Sequence, residues 1–325
     1  MHRLLAAGLV LLSSTACAFD LQGHRGARGL MPENTLPAFA KALSLGVTTL
    51  EFDTGTTKDG VVVVIHDRRL NPDTTRGPDG QWLSEHGPTI HSLTFEELRR
   101  HDVGRLKSGT RYAQDFATQT PVDGTRVPRL SEVFALAAKA GNNAVRFNIE
   151  TKLSPLAADE TLAPEPFARA LIREIRAAGV ASRTTIQSFD WRTLKLVQAE
   201  APEIATVYLT IARGGGDNVQ AGKPGPSPWL AGLDVDDHGG SVPKTVQAAG
   251  GRIWSPFHGD LTEASLQEAK RLGLAVVPWT VNDEPTMRRL AQMGVDGLIT
   301  DYPDRLRKVL AELGVALPAP TPVEP

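Results

Sequence analysis

The sequence has 325 residues, with 35 lysine and arginine side chains against 37 aspartate and glutamate side chains, for a net charge of −2. Hydrophobic residues make up 41% of it, which is typical of a chain with a packed core and excludes disorder along most of its length. The near balance of charge excludes a protein whose main partner is bulk nucleic acid, because such binding needs an excess of basic residues.

The first 18 residues are predicted to be a signal peptide. Arg3 supplies a positive start, residues 4–12 an apolar run, and Ala16-Cys17-Ala18 a cleavage motif of small residues. We therefore expect export to the periplasm, with an ordinary N-terminal helix or a lipid anchor on Cys17 as alternatives. Cys17 is the one cysteine, so the fold is not expected to depend on disulfides. No run of 18 apolar residues occurs, and no membrane span is predicted.

Strand-like and helix-like segments alternate along the rest of the chain. Apolar or β-rich runs lie at residues 21–23, 48–53, 61–65, 145–149, 184–189, 206–209, 252–254, 275–281 and 297–300. Helical spacing of apolar residues lies at 35–45, 130–140, 166–178, 191–199, 242–249, 262–272, 284–293 and 303–313. This alternation is typical of a parallel sheet. Eight parallel strands with intervening helices predict an α/β fold, the (β/α)8 TIM barrel.

One junction interrupts the alternation. Residues 57–60 are too few for a parallel crossover, and Asp59-Gly60 is a strong hairpin signal. The run at residues 61–65 is therefore predicted to be an antiparallel arm folded back on the second strand. With Asp59 and Gly60 at the centre of the turn, Asp53 is expected to lie directly opposite His66, on the same face of the sheet.

Two segments do not fit a bare barrel. Residues 68–129 are rich in glycine and proline and contain one predicted helix, residues 95–101, so we interpret them as an insertion that caps the barrel mouth. Residues 317–325 contain four prolines and are predicted to be a disordered tail. The barrel with its insertion is then expected to span residues 19–316.

Carboxylates gather where the predicted strands end, which is where the active site of such a barrel lies. Glu51 and Asp53 share one face of the second strand, and Glu150 ends the third. Like charges at this spacing need a proton or a cation between them. An all-oxygen set of ligands suits Mg²⁺ or Ca²⁺ better than zinc. A salt-bridge cluster with Arg25 and Lys152 is the competing interpretation.

Histidines and cations complete the same rim. His24 and His66 are candidates for a general acid–base pair, with metal ligation by one of them as an alternative. Arg25 and Lys152 suit contacts to a phosphate, while Trp279 is either rim packing or a platform for substrate. Together with a carboxylate-bound metal ion, these groups indicate phosphoester cleavage.

These residues lie in motifs that resemble those of the glycerophosphodiester phosphodiesterase family, over residues 21–313. The motifs are His24-Arg25-Gly26, Pro32-Glu33-Asn34-Thr35, Glu51-Phe52-Asp53, Thr57-Lys58-Asp59-Gly60, His66-Asp67, Asn148-Ile149-Glu150-Thr151-Lys152, Gln187-Ser188-Phe189, Trp279-Thr280-Val281-Asn282, Asp296-Gly297 and Thr300-Asp301. The sequence departs from the family at Thr54-Gly55-Thr56, where bulkier apolar residues are usual.

The resemblance implies a TIM barrel with a small inserted domain. It also implies one divalent ion, Mg²⁺ or Ca²⁺, held by Glu51, Asp53 and Glu150. Glu33 has two interpretations: a favourable charge at the start of the first helix, which its position favours, or a contact to the site.

The implied reaction is hydrolysis of glycerophosphodiesters, such as glycerophosphocholine and glycerophosphoethanolamine, to glycerol 3-phosphate and an alcohol. The resemblance assigns His24 and His66 as the acid–base pair and places Arg25 and Lys152 near the phosphate. Attack by a neighbouring glycerol hydroxyl, through a cyclic phosphate, is one route.

Two other functions stay open. A related barrel phospholipase that acts on intact lipid would need an apolar rim or a membrane-binding helix, and the sequence has no such exposed stretch. A non-catalytic protein that binds phosphate esters would be expected to have lost a histidine or a carboxylate, and all of them are present. The sequence leaves the oligomeric state unknown.

Overall fold

The computed structural model describes residues 19–325, and the predicted signal peptide at residues 1–18 lies outside them. Within this range one sheet contains the strands β1 (Asp20–Gly23), β2 (Thr49–Thr56), β3 (Val62–Val64), β4 (Arg146–Thr151), β5 (Thr184–Ser188), β6 (Ala205–Thr210), β7 (Ile253–Pro256), β8 (Ala275–Val276) and β9 (Gly297–Thr300). Eight of them are parallel, in the order β8-β7-β6-β5-β4-β2-β1-β9, and β3 pairs with β2 in the antiparallel sense.

Helices surround this sheet. Those in residues 19–325 are α1 (Leu36–Leu45), α2 (Phe95–Leu98), α3 (Arg111–Asp115), α4 (Leu130–Lys139), α5 (Pro164–Ala177), α6 (Trp191–Glu200), α7 (Val242–Ala248), α8 (Glu263–Arg271), α9 (Glu284–Met293) and α10 (Pro303–Glu312). Side chains that accept a backbone hydrogen bond begin several of them, as Thr35 does for α1, Asp190 for α6 and Thr262 for α8. None of the helices in this range is long and apolar enough to cross a membrane.

The barrel closes between β8 and β9. Three backbone hydrogen bonds cross this seam, from Asp296 N to Val276 O (2.9 Å), from Ile299 N to Pro278 O (3.0 Å) and from Val281 N to Ile299 O (3.0 Å). Pro278 has no N–H to donate, which explains why β8 is shorter than the predicted run at residues 275–281. The predicted (β/α)8 barrel is confirmed.

Alternation along β2 places the candidate site residues inside the barrel. Leu50 and Phe52 are fully buried and face the surrounding helices, with the Phe52 ring 5.3 Å from the ring of Phe39 in α1. Because successive side chains of a strand point to opposite faces, Glu51 and Asp53 face the barrel interior. The apolar layer between sheet and helices thus fixes the orientation of both carboxylates.

The hairpin differs from its predicted register by one residue. Thr54 pairs with Val64, and the carbonyl of Asp53 accepts a hydrogen bond from Ile65 N (3.0 Å), so the prediction that Asp53 lies opposite His66 is wrong. The turn has three residues rather than two, because Gly60 alone adopts a positive φ (79°), as in a type I turn followed by a left-handed glycine. His66 lies beyond the end of β3 and approaches the site from a loop.

The insertion at residues 68–129 is more ordered than its composition suggests. It contains α3 as well as α2, and its apolar side chains form a second small core with Val63, Leu70, Ile90, Phe95, Leu98 and Val127. It docks on the loop after β1, where Thr120 N donates to Leu30 O (2.8 Å) and Gln119 Nε2 donates to Arg28 O (2.8 Å). The insertion therefore lies at the carboxyl ends of the strands.

The C-terminal residues 317–325 are not disordered in the structure, contrary to the prediction. Thr321 N donates to Leu43 O (2.9 Å), and Pro318 O accepts from Arg307 Nη1 (2.9 Å). Leu317 and Val323 pack against the main core. Proline disfavours helices and central strands, but it does not prevent an extended segment from packing along helices.

Gly26, in the loop after β1, has no room for a side chain. Its φ is +86°, and a Cβ would lie 2.8 Å from the backbone carbon of Ala38 in α1. We expect Gly26→Ala to lower the free energy of unfolding by about 3 kcal/mol, through backbone strain and steric overlap, as measured by urea denaturation. Gly124→Ala is the matched control, since Gly124 has a φ of +84° with no atom within 4 Å, and about 1 kcal/mol is expected there. Equal losses would contradict the steric argument.

Candidate active site

The carboxyl ends of the parallel strands surround a cavity of about 170 Å³. Every residue that the sequence predicts for the site lies at this cavity or directly behind it. The residues lining it include His24, Arg25, Glu51, His66, Glu150, Lys152 and Trp279. Asp53, which is 1% exposed, lies next to them between Glu51 and Glu150. The barrel therefore brings the predicted residues together.

Three carboxylates form the floor of the site. Glu51 and Asp53 come from β2, and Glu150 lies beside Asp53 on β4. Each offers one oxygen, and these three oxygens lie within 4.8 Å of one another. Burial and the neighbouring Asp53 raise the pKa of Glu51 well above its usual range. Burial also raises the pKa of Glu150 to about 7, against the opposing charge of Lys152. Ionisation of all three carboxylates at once is therefore energetically unfavourable without a cation between them.

Asp53 remains ionised because cations surround it. Although burial opposes ionisation, the charges of Arg25 and Lys152 hold the pKa of Asp53 well below its usual range. Asn34 supports it, since its Nδ2 donates to Asp53 Oδ2 (2.9 Å). The other carboxylate oxygen, Oδ1, is buried without a hydrogen-bond partner, with Lys152 Nζ 3.7 Å away. An orphaned oxygen of this kind is suited to a cation.

The salt-bridge interpretation of the cluster is right in part. Lys152 Nζ lies 2.8 Å from Glu150 Oε1, and Arg25 Nε lies 3.2 Å from Asp53 Oδ2. Among the described residues, neither of these two cations forms a salt bridge with Glu51. Oε2 of Glu51 instead accepts a hydrogen bond from the backbone N of Arg25 (2.9 Å). The two positive charges thus do not neutralise the charges of all three carboxylates. The three carboxylates form an all-oxygen set of ligands, which fits Mg²⁺ or Ca²⁺.

Each histidine has an aspartate at its Nδ1. In His24 this nitrogen lies 2.6 Å from Asp301 Oδ1, and in His66 it lies 2.7 Å from Asp67 Oδ1. Nε2 of His24 lies 3.9 Å from Glu51 Oε2. In both rings Nε2 is therefore the nitrogen available for proton transfer at the cavity.

Burial favours the neutral form of both rings. It lowers the pKa of His24 to about 4, against the opposing charge of Asp301. Burial and the charges of Arg25 and Lys152 lower the pKa of His66 as well. A neutral imidazole can accept a proton at neutral pH.

Arg25 is held by a residue whose role the sequence did not settle. Its Nη1 lies 2.6 Å from Glu33 Oε1, and Glu33 also accepts a hydrogen bond from Tyr112 Oη. Helix α1 begins only at Leu36, so the favoured interpretation of Glu33 as a helix-terminal charge is wrong. Glu33 instead orients a cation of the site.

Trp279 packs at the rim of the barrel, as one of its two interpretations predicts. Its Nε1 donates to Ser255 O (2.9 Å), and its ring packs edge-on against Phe189 (5.3 Å) and Phe257 (5.6 Å). The half-buried indole also lines the cavity. The lining of the cavity thus combines apolar side chains, among them Trp279 and Phe189, with carboxylates, cations and histidines.

Asn34, Arg28 and Tyr112 also contribute to the site and were not among the predicted site residues. Asn34 binds Asp53 through its Nδ2. Arg28 lines the cavity and binds Asp301, and Tyr112 reaches Glu33 from the insertion. Asn34 lies in one of the motifs that the sequence shares with the family, and this motif could have indicated that Asn34 belongs to the site. Arg28 and Tyr112 had no such signal, since their partners are far away in sequence.

The chain is similar to known proteins along most of its length. Residues 24–305 match the model of the glycerophosphoryl diester phosphodiesterase family. A glycerophosphodiester phosphodiesterase of Caldanaerobacter subterraneus subsp. tengcongensis is 30% identical over 291 residues, which are 90% of this chain and 97% of that protein. One of Bacillus subtilis is 29% identical over 289 residues, 88% of this chain and 84% of that protein.

Solved structures give the same result. A protein of Silicibacter pomeroyi DSS-3, assigned as a glycerophosphoryl diester phosphodiesterase, is 36% identical with a TM-score of 0.82, and the match covers 93% of this chain and 96% of that chain. A phosphodiesterase of Oleispira antarctica, solved in complex with the product sn-glycerol-3-phosphate, has the same fold at 21% identity and a TM-score of 0.64, with coverage of 89% and 96%.

Proposed function

Because this chain belongs to the glycerophosphoryl diester phosphodiesterase family and is a glycerophosphodiester phosphodiesterase, we propose that it hydrolyses glycerophosphocholine and glycerophosphoethanolamine to glycerol 3-phosphate and an alcohol. One divalent ion, Mg²⁺ or Ca²⁺, and the pair His24 and His66 carry the reaction in this proposal. The observation that supports it most is the convergence of three carboxylates, two histidine–aspartate pairs and two cations on one cavity. The product bound in the Oleispira antarctica relative is consistent with it.

The phosphate is assigned to the polar side of the cavity. Arg25 and Lys152 lie there, with Glu33 and Glu150 holding their side chains, so both positive charges are ordered before substrate binds. A divalent ion held by the three carboxylates would stabilise the negative charge that develops on the phosphate oxygens. The organic part of the diester is assigned to Trp279, which lines the cavity.

Proton transfer is assigned to the two histidines. One accepts the proton of the attacking hydroxyl, from water or from the neighbouring glycerol hydroxyl, through its Nε2. The other is protonated at Nε2 when substrate is bound, a form that the negative charge of the phosphodiester favours, and it donates this proton to the oxygen of the leaving alcohol, whose P–O bond breaks. Asp301 and Asp67 fix the two rings through Nδ1, which keeps each Nε2 directed toward the cavity.

The test is release of glycerol 3-phosphate from each of the two diesters by the purified protein with added Mg²⁺ or Ca²⁺, followed with a coupled dehydrogenase. We expect hydrolysis of both diesters and none of phosphatidylcholine vesicles. Cleavage of the vesicles would favour a phospholipase. Binding of glycerophosphocholine without turnover would favour a non-catalytic binding protein, and either result would contradict the proposal.

Export is proposed on the sequence alone. Arg3, the apolar run at residues 4–12 and the small residues before Phe19 have the order of a cleaved signal peptide. The mass of the intact protein from the periplasmic fraction tests this, and a chain that begins at Phe19 is expected. A lipid-modified Cys17 would support the anchored alternative, and an uncleaved cytoplasmic chain would contradict export.

A further inference from the structure

Asp301, at the end of β9, is the most heavily bonded carboxylate around the cavity. Its side chain is 0% exposed and receives four side-chain contacts. Oδ1 lies 2.6 Å from His24 Nδ1 and 2.9 Å from Arg28 Nε, while Oδ2 lies 3.0 Å from Arg28 Nη2 and 2.7 Å from Asn282 Nδ2. This residue was not among the predicted site residues.

We infer that Asp301 is a positioning residue, which together with Arg28 fixes the proton of neutral His24 on Nδ1 and thereby leaves Nε2 unprotonated toward the cavity. The inference rests on the proposed role of His24 in proton transfer. Asp301 itself lies behind the histidine and acts through it.

The first step concerns the charge of Asp301. Arg28 binds both oxygens through its guanidinium, the bidentate geometry that arginine forms with an ionised carboxylate. Although burial opposes ionisation, the charge of Arg28 holds the pKa of Asp301 well below its usual range. An ionised carboxylate accepts hydrogen bonds and cannot donate one. His24 Nδ1 must therefore be the donor.

The second step concerns the orientation of the carboxylate. Asn282 binds Asp301 twice, because its Nδ2 donates to Asp301 Oδ2 while its Oδ1 accepts from the backbone N of Asp301 (3.0 Å). This second contact fixes which end of the amide faces the carboxylate. With Arg28 and Asn282 on Oδ2, Oδ1 points to His24.

The third step concerns Arg28, which the insertion holds in place. Its guanidinium carbon lies 4.4 Å from the centroid of the Phe116 ring, and its Nη1 donates to Tyr112 Oη (3.2 Å). Both residues belong to the segment 111–116 of the insertion. Docking of the insertion therefore supports the arginine that binds Asp301.

The other histidine provides an internal comparison. The side chain of Asp67 is 34% exposed and receives a hydrogen bond from Asn71 Nδ2 (2.6 Å), and no arginine forms a salt bridge with it among the described residues. The partner of His66 is thus held less firmly than the partner of His24. The rigid arrangement around Asp301 is specific to one of the two rings.

Asp301→Asn tests the inference. The amide oxygen is expected to stay with Arg28 Nη2 and Asn282, which turns the amide N–H toward His24 Nδ1 and moves the imidazole proton to Nε2. We expect kcat for glycerophosphocholine to fall by about 10³-fold with KM changed less than about threefold, as for loss of the correct tautomer in a histidine–aspartate pair. Nitrogen-15 NMR of histidine-labelled protein reports the tautomer directly, with the His24 signal assigned by its loss in His24→Gln.

Asp190→Asn is the matched control. Asp190 is also 0% exposed and also binds an arginine through both oxygens, with Arg192 Nη2 2.6 Å from Oδ2. It caps α6, a position where asparagine serves equally well. We expect kcat and the His24 signal of this variant to match the wild type.

Two results would overturn the inference. One is a wild-type His24 with its proton on Nε2, a measurement that needs no variant and stands even if Asp301→Asn does not fold. The other is folded Asp301→Asn with wild-type kcat. Because the NMR signal does not depend on turnover, absence of hydrolysis by the wild type would contradict the proposed function separately.

Discussion

Replacing His24 or His66 by alanine is expected to lower kcat for glycerophosphocholine hydrolysis by about 10³-fold, equivalent to about 4 kcal/mol of transition-state stabilisation. Both rings lie at the cavity with Nδ1 bound to an aspartate, so each variant removes one proton-transfer group. KM is expected to change little, because Arg25 and Lys152 remain to bind the phosphate. Steady-state kinetics with release of glycerol 3-phosphate provide the measurement.

A leaving group that needs no protonation separates the two roles. With a p-nitrophenyl ester of glycerol phosphate, the variant that lacks the general acid is expected to recover most of its rate, since p-nitrophenolate leaves without a proton. The variant that lacks the base should stay slow. The pair of substrates thus assigns acid and base to His24 and His66 by experiment.

His86→Ala is the control for these variants, since His86 is an exposed histidine of the insertion away from the cavity. Its kinetics should match the wild type. Full activity in either His24→Ala or His66→Ala would show that the proposed mechanism is wrong. Thermal unfolding of each variant shows whether a loss of activity reflects unfolding.

The barrel and its site were predictable because they depend on pattern and topology. Alternating strand and helix patterns determine a parallel sheet, and the carboxyl ends of parallel strands meet at one edge. Glu51, Asp53 and Glu150 therefore converge whatever the details of packing. No contact between distant residues had to be known for this prediction.

Registers and boundaries were less predictable. Asp59-Gly60 fits both a two-residue turn and a three-residue turn, and the choice moves every pair in the hairpin by one position. The structure has the three-residue form, with a positive φ at Gly60 alone. At β8, Pro278 shortened a strand whose apolar pattern continues beyond it.

Long-range docking could not be predicted from the sequence. Arg28 binds Asp301, which is 273 positions away, and Tyr112 reaches Glu33 from 79 positions away. Neither contact leaves a periodic signal in the chain. The same holds for the C-terminal residues, where Thr321 pairs with Leu43 on α1. Such contacts depend on the final packing of loops on the finished barrel.

Removal of divalent cations is expected to abolish hydrolysis and to lower the thermal stability of the protein. Three buried carboxylates share one site, and a bound cation offsets their repulsion in the folded state only. At a cation concentration 100 times Kd, the stabilisation is about 2.7 kcal/mol. Dialysis against chelator, followed by titration with Mg²⁺ or Ca²⁺, measures both activity and melting temperature, and the ion that restores both at the lower concentration is the better ligand.

Glu150→Gln separates cation binding from folding. Burial raises the pKa of Glu150 from its usual 4.5 to about 7, so in the cation-free protein its ionisation favours the unfolded state, and stability falls as the pH rises through this window. Glutamine does not ionise, so the variant does not lose stability over this pH range. At pH 8 without cations, we expect it to unfold with a free energy equal to the wild type or about 1–3 kcal/mol higher.

The same variant should be inactive and should gain no stability from added cation. A variant that failed to fold would also be inactive, but its cation-free form would not be as stable as the wild type. Glu85→Gln, at an exposed position of the insertion, is the control and should respond to cations as the wild type does. A chelated wild type with full activity would contradict a cation-dependent site. If Mg²⁺ or Ca²⁺ raised the melting temperature of Glu150→Gln as much as that of the wild type, Glu150 would not be a ligand of the cation. Its partner at the site would then be Lys152 alone among the cations.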